Sequence, residues 1–144
     1  MEKITVSLPG IKKIGILPAN RLQRQIMYKF LAGIKVGIFA DIKRIRFCGS
    51  PSCEAVSQYN NNGRIEHTSL KFSTTEKIPT GEHIAFVVTD CNGDSYVIGQ
   101  REKPRPIIVQ TKNTGIPNGN AAVTNVEVSL YAQKSLIPCY IGNS

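Results

Sequence analysis

Ile4, Val6 and Leu8 alternate with Thr5 and Ser7, the period-two pattern of a half-buried β-strand, until Pro9-Gly10 breaks it. Ile14 to Leu17 is a second short apolar run, stopped by Pro18. The period then changes. From Asn20 onward Leu22, Ile26, Met27, Phe30 and Leu31 fall at helical spacing, with Arg21, Arg24, Gln25 and Lys29 elsewhere on the wheel. Asn20 can act as N-cap through its side-chain oxygen, and Gly33 suits the position just past the end. The spacing thus predicts one helix over residues 21 to 32. The rival reading is a bent edge strand, because Ile, Tyr and Phe also suit strands.

After Gly33 the period-two pattern returns. Val36 and Ile38 form a short run, and Ile45 and Phe47 alternate with Arg44 and Arg46, so a strand here turns its arginines away from the core. Glu54 to Tyr59, then Asn60-Asn61-Asn62-Gly63, then Arg64 to Phe72 reads as a hairpin with a longer turn and poor alternation. The clearest hairpin runs from His83 to Gly99. Its two β-rich halves meet at Asn92-Gly93, the pair suited to a two-residue type I′ turn. Lys103-Pro104-Arg105-Pro106 then removes ladder donors, so this segment should cross an edge or leave the sheet before Ile107 to Val109 resumes a strand. Residues 110 to 121 have the composition of a loop, long for a connection inside one domain. Such a loop either reaches a neighbouring subunit or is a surface excursion. Val126, Val128 and Leu130 alternate cleanly with Glu127, Ser129 and Tyr131. The apolar tail Ile137 to Ile141 should pack against its own sheet or another subunit.

These elements add up to a mainly β chain, an antiparallel sandwich or barrel with one short helix, in a single domain spanning residues 1 to 144. A chain of this length buries roughly two thirds of the surface exposed when unfolded. With 41% hydrophobic and 19% charged residues it is too apolar for intrinsic disorder. No apolar run approaches the roughly 20 residues of a membrane-spanning helix. Met1-Glu2-Lys3 leads into the first alternating run and not into a signal-peptide core, so synthesis in the cytosol without a cleaved leader is expected.

Charge alters this picture more than composition does. Ten cationic residues precede Phe47 against only Glu2 and Asp41, so the first third carries the whole net charge of +8. Arg21, Arg24, Lys29, Lys43, Arg44 and Arg46 are the candidate contacts to nucleic acid or to an acidic partner. The alternative is that they spread over several elements and face only solvent.

Chemistry is sparse. Cys48 and Cys53 have four residues between them, but Cys91 and Cys139 are isolated, so no Cys₄ zinc pattern is completed and buried, reduced thiols are expected. The sequence contains no Gly-rich phosphate loop, G-x-S-x-G elbow or H-E-x-x-H motif. His67 and His83 lack the spacing of a helical ligand pair. Glu54, Glu66, Glu76, Glu82, Asp90, Asp94, Glu102 and Glu127 are expected on polar strand faces or in turns. Neither an enzyme nor a cofactor is expected, unless these groups converge in space.

The run D-C-N-G-D-S-Y-V-I-G-Q-R-E-K-P-R-P from Asp90 to Pro106 is followed by Thr114-Gly115, by Val126-Glu127-Val128 and by Lys134-Ser135-Leu136-Ile137-Pro138-Cys139. Together they resemble a pattern in small uncharacterised structural proteins of Bacteroidetes phages and prophages. The resemblance implies a virion component of the neck or tail, of tail tube, terminator, stopper or adaptor type. It brings no catalytic or ligand residue. On this reading the chain forms a ring with copies of itself, meets portal, adaptor or tail subunits, touches DNA without sequence preference, and has no membrane partner. Its location is the virion, assembled in the host cytoplasm. Thr114, Gly115, Ile116 and Pro117 in the long loop, and Leu136, Ile137 and Tyr140 in the tail, are the candidate subunit contacts. The competing reading is a basic β-barrel that binds nucleic acid through the six cations above.

Overall fold

The alternating runs become strands in two sheets. The structure, a computed structural model, describes residues 3–60, 63–79, 81–113 and 123–142. β1 (Lys3–Ser7), β5 (Cys48–Asn60), β6 (Gly63–Thr74), β10 (Val123–Ala132) and β9 (Ile107–Asn113) form an antiparallel sheet in the order β1-β5-β6-β10-β9. The second sheet has the order β3-β11-β8-β7-β2-β4. Its strands are β3 (Val36–Ile38), β11 (Leu136–Ile141), β8 (Ser95–Ile98), β7 (Ile84–Asp90), β2 (Ile11–Pro18) and β4 (Lys43–Ile45). All its pairs are antiparallel except β11 with β3. The protein is mainly β with one short helix. Of sandwich and barrel, the barrel falls away, because among the described residues each sheet ends in free edge strands.

The main core lies between the sheets, where Ile14, Ile16, Phe86 and Val88 meet Leu70, Phe72 and Val128. Phe72 and Phe86 pack edge to face at 6.2 Å. A second core covers the outer face of the six-stranded sheet: Leu17, Ala85, Val87 and Val97 lie beneath Leu22, Ile26 and Met27 of the helical layer. β7 is therefore covered on both faces. This explains why Ile84 to Val88 reads as a continuous apolar run and not as alternation.

The helix, α1 (Ile26–Leu31), is shorter than the predicted 21 to 32, and Asn20 is not its cap. Ala19–Arg21 instead form a separate 3-10 turn, and Leu22 leaves it in an extended conformation. Gln25, at φ 55°, precedes α1 and its amide donates to both carboxylate oxygens of Glu102 at 3.0 Å. The C-terminal end follows the expectation. Gly33 at φ +86° lets its amide bond to Phe30 O and the Ile34 amide bond to Lys29 O, the paired bonds of a Schellman motif.

The Asn92-Gly93 hairpin is present with a different turn. Thr89 pairs with Ser95, and the bonds Gly93 N to Asp90 O and Asp90 N to Asp94 O enclose a three-residue loop. Gly93 has φ +88° while Asn92 does not take the positive φ that a type I′ turn requires, so this is a type I turn closed by a glycine bulge. Asp90 Oδ1 accepts from the amides of Asn92 and Asp94, each at 3.0 Å, which holds the loop from within.

Pro104 and Pro106 do mark the exit from a sheet: β8 lies in one sheet and β9, the next strand, in the other. Residues 110 to 113, predicted as loop, are strand and pair with β10. Thr114, Gly115, Ile116 and Pro117 lie outside the described residues, as do positions 61 and 62 of the β5–β6 hairpin. β1 forms as predicted, but its inner face is not closed off. Ile4 and Val6 are 55% and 49% exposed, because among the described residues no element is laid against the apolar side of this edge strand.

Candidate interaction surfaces

The six candidate cations do not form one patch by sequence position. Arg21 closes the 3-10 turn, Arg24 precedes α1, Lys29 lies within it, and Lys43 and Arg44 lie on β4 with Arg46 just beyond. Arg44 and Arg46 flank the buried Ile45 and are themselves exposed, as the alternation required. Among the described residues, none of the six is within ion-pair distance of a carboxylate: both ion pairs present converge on Glu66. Arg46 contributes its backbone instead, its amide donating to Glu76 Oε2 at 2.8 Å and its carbonyl accepting from Thr74 Oγ1.

One concave site does gather cations. A cleft of about 510 Å³ on the outer face of the six-stranded sheet is lined by Lys13, Arg44, Asp41 and Thr89, with Gly15 and Val87 between them. Gly15 has to lack a side chain here, since a Cβ would stand 2.3 Å from Ile42 Cγ2. Lys13 was not among the candidates. Its register opposite Thr89, on the strand beside β4, is what brings it to Arg44.

The C-terminal tail divides by face. Leu136 and Ile137 are 3% and 2% exposed and belong to the chain's two cores, so they are corrected from subunit contacts to core residues. β11 lies inside the sheet between β8 and β3, and both of its faces are covered at that end. Tyr140 is at the surface as expected. Its ring meets Phe39 edge to face at 5.8 Å, and Gly37 between them leaves room that a Cβ would fill, at 2.6 Å from Tyr140 Cζ. A groove of about 840 Å³ runs between Phe30, Ile34, Val36, Pro138 and Tyr140. Ile34, which lines the same groove as Tyr140, is 53% exposed. This apolar surface joins the end of α1 to the β3 edge, and the sequence did not reveal it because Ile34 and Phe39 read as ordinary flanks of a short strand.

The titratable groups have structural partners. His67 stacks on Tyr131, with centroids 4.0 Å apart and planes at 7°, and its Nε2 is 2.7 Å from Ser129 Oγ. No carboxylate is hydrogen-bonded to His67 or His83 among the described residues. The expectation that all acids lie on polar faces or in turns fails for Glu66, which is 2% exposed on the inner face of β6. Its Oε1 accepts from the amides of Leu136 (2.8 Å) and Ser135 (2.9 Å), and its Oε2 from Lys134 Nζ and Ser57 Oγ, both at 3.1 Å. Burial pushes this carboxyl up, but the Leu136 amide, the Lys134 charge and the Ser135 amide together outweigh it, and the net shift is downward. The four thiols are free, and two of them, Cys48 and Cys91, are exposed where burial was expected. Desolvation, aided by the Glu54 charge, pushes Cys53 up to about 12, and desolvation alone does the same to Cys139. No group of three His, Cys, Asp or Glu among the described residues is placed to hold a metal ion. No helix among them is long and apolar enough to cross a membrane.

No protein-family model, curated protein or solved structure matches this chain.

Proposed function

We propose that this chain is a non-enzymatic structural subunit of a phage-like particle. It acts in the neck or tail, as a tail tube, terminator, stopper or adaptor type of component, and closes into a ring through contacts with its own copies and with neighbouring virion proteins. The observation that carries this reading is the apolar groove lined by Phe30, Ile34, Val36, Pro138 and Tyr140, with Phe39 packed on Tyr140 at its side, since contiguous apolar surface on a folded chain marks an interaction site. The C-terminal resemblance supplies the kind of assembly. Mass spectrometry of purified particles from a host that carries the gene should find this chain at a fixed ratio to the capsid protein. Its absence from particles that contain the products of neighbouring genes would overturn the proposal.

The cleft holding Lys13 and Arg44 favours a second reading, in which the exposed cations contact nucleic-acid phosphates without base readout. With no closed barrel among the described residues, this would be a sandwich surface and not the barrel first expected. Gel retardation of DNA at low salt, lost near physiological salt and weakened by Lys13→Ala with Arg44→Ala, is its expected signature. No retardation at any salt concentration would exclude it.

A further inference from the structure

We propose that β1 is the contact strand of a two-fold pair: Lys3–Ser7 of one copy aligns antiparallel with Lys3–Ser7 of a second, centred on Thr5, joining two five-stranded sheets into one. The backbone register gives the direction of every group on this edge. β1 pairs with β5 so that Thr5 lies opposite Val56, and Leu8 N donates to Cys53 O at 3.0 Å as the ladder continues. In an antiparallel ladder, pairs that exchange hydrogen bonds alternate with pairs that do not. Leu8, Val6 and Ile4 therefore direct their amides and carbonyls to β5, whereas Lys3, Thr5 and Ser7 direct theirs to the free edge.

Antiparallel alignment about Thr5 uses all of these free groups. Thr5 meets Thr5 of the second copy, and Lys3 and Ser7 meet the second copy's Ser7 and Lys3, each pair exchanging two bonds. Ile4 then lies opposite the second copy's Val6 in a pair without hydrogen bonds, the arrangement in which side chains approach most closely. Both residues are on the face that β5 turns toward the core, as the pairs Ile4 with Ser57 and Val6 with Ala55 show, and both are about half exposed. The same register keeps the two Lys3 side chains at opposite ends, so no like charges stand opposite one another.

Two of the other free edges, β4 and β9, fit β1 less well. β4 is Lys43-Arg44-Ile45 with Arg46 beyond it, a cationic edge of the kind that resists pairing. β9 turns Ile107 and Val109 to the opposite face of the sheet and carries Ile108, Gln110 and Lys112 on the face of Ile4 and Val6, so a neighbour's β9 would bring only one apolar side chain to that pair. Two five-residue strands bury well under the roughly 1,200 Å² at the lower end of stable interfaces, so the pair forms in roughly the tens of micromolar to millimolar range. Each copy carries +8, so association strengthens as salt screens the repulsion. Nucleic-acid binding would respond to salt in the opposite sense.

Sedimentation and light scattering across that concentration range, at about 0.1 and 0.5 M salt, test the pairing. The mass should rise from 15.8 kDa toward twice that value, and further at the higher salt. The amides of Lys3, Thr5 and Ser7 should gain exchange protection in step with it. Thr5→Pro removes a donor that the folded monomer does not use, and Val6→Lys places a charge in the apolar pair. Both should stay monomeric with unchanged melting, while Ile107→Lys, on the far edge, associates like the parent. A parent that stays monomeric at millimolar concentration and high salt, or a Thr5→Pro chain that associates as well as the parent, would overturn the pairing. The second result would assign the contact to another face, β9 or the β3–β11 surface. Neither outcome bears on the particle reading, which rests on that second surface and not on β1.

Discussion

Replacing Glu66 by Gln should destabilise the fold by about 2–4 kcal/mol, which is large for a substitution that keeps the side-chain shape. The magnitude follows from the partners. All five groups at hydrogen-bond distance from the carboxylate can donate: the Leu136 and Ser135 amides and Ser135 Oγ on Oε1, and Lys134 Nζ and Ser57 Oγ on Oε2. An amide side chain can give its oxygen to the two backbone amides, but its NH₂ then faces the Lys134 ammonium, which is only 15% exposed, and Arg64 Nη2 at 3.6 Å. Lys134 keeps the face of Phe30, 5.7 Å from the ring centroid, but loses the charge that balances it. The sign of the pH dependence follows from the lowered carboxyl. The stability it adds is fully present above the unfolded value of about 4.3 and is lost as pH falls through the lower folded value. Urea or thermal unfolding of parent and Glu66→Gln should therefore differ most near neutral pH, by roughly 5–15 °C in Tm for a chain of this size. The gap should narrow as pH falls below the unfolded value of about 4.3 and on through the lower folded value, where the parent carboxyl takes up its own proton. A gap under about 0.5 kcal/mol at pH 7, within the range of ordinary surface substitutions, would refute the reasoning, as would a gap that persists unchanged into acid.

Two further outcomes follow from the turns and the thiols. Gly93→Ala should cost about 1–2 kcal/mol, because residue 93 sits at φ +88° in the β7–β8 loop, and Gly93→Asn should recover part of that loss; equal stability of all three chains by urea unfolding would contradict the glycine-bulge turn. A thiol-exchange reagent near pH 8 should label Cys48 and Cys91 quickly, while Cys53 and Cys139, both pushed up to about 12, react only as the protein unfolds; four thiols reacting at one rate would show that neither is desolvated.

Strand existence was legible almost throughout, because period-two patterning follows directly from which face of a pleated strand is covered. The residues at the Val126–Leu130 strand, the Gly33 helix stop and the exit at Pro104 and Pro106 each carry a local physical signature, and each is found in place. What stayed hidden depends on contacts distant in sequence. The helix starts at Ile26 and not at residue 21 because Glu102, 77 residues away, takes the Gln25 amide, and no local cap competes with it. The cleft of Lys13 and Arg44 depends on the pairing of β2 with β4, which composition does not reveal.

The two clearest departures from burial by pattern have opposite senses. In β6 the alternation was poor because the inner face carries Glu66 and Thr68 while Ile65 and His67 face outward. That inversion is resolved inside the chain. The corner between β10 and β11 brings Lys134, Ser135 and the Leu136 amide down onto Glu66, and Ser135 Oγ lies 2.6 Å from Thr68 Oγ1, so the buried carboxylate and the buried Thr68 hydroxyl each meet a complement. In β1 the alternation was clean, yet Ile4 and Val6 face the inner side with nothing over them, and the amides and carbonyls of Lys3, Thr5 and Ser7 have no strand beside them among the described residues. Glu66 and Thr68, buried against expectation, have their partners within the fold, and among the described residues Ile4 and Val6, exposed against expectation, do not. The same accounting of donors, acceptors and apolar area that closes around Glu66 therefore remains open at β1, and a second copy supplies both what its backbone lacks and what its side chains lack in a single register.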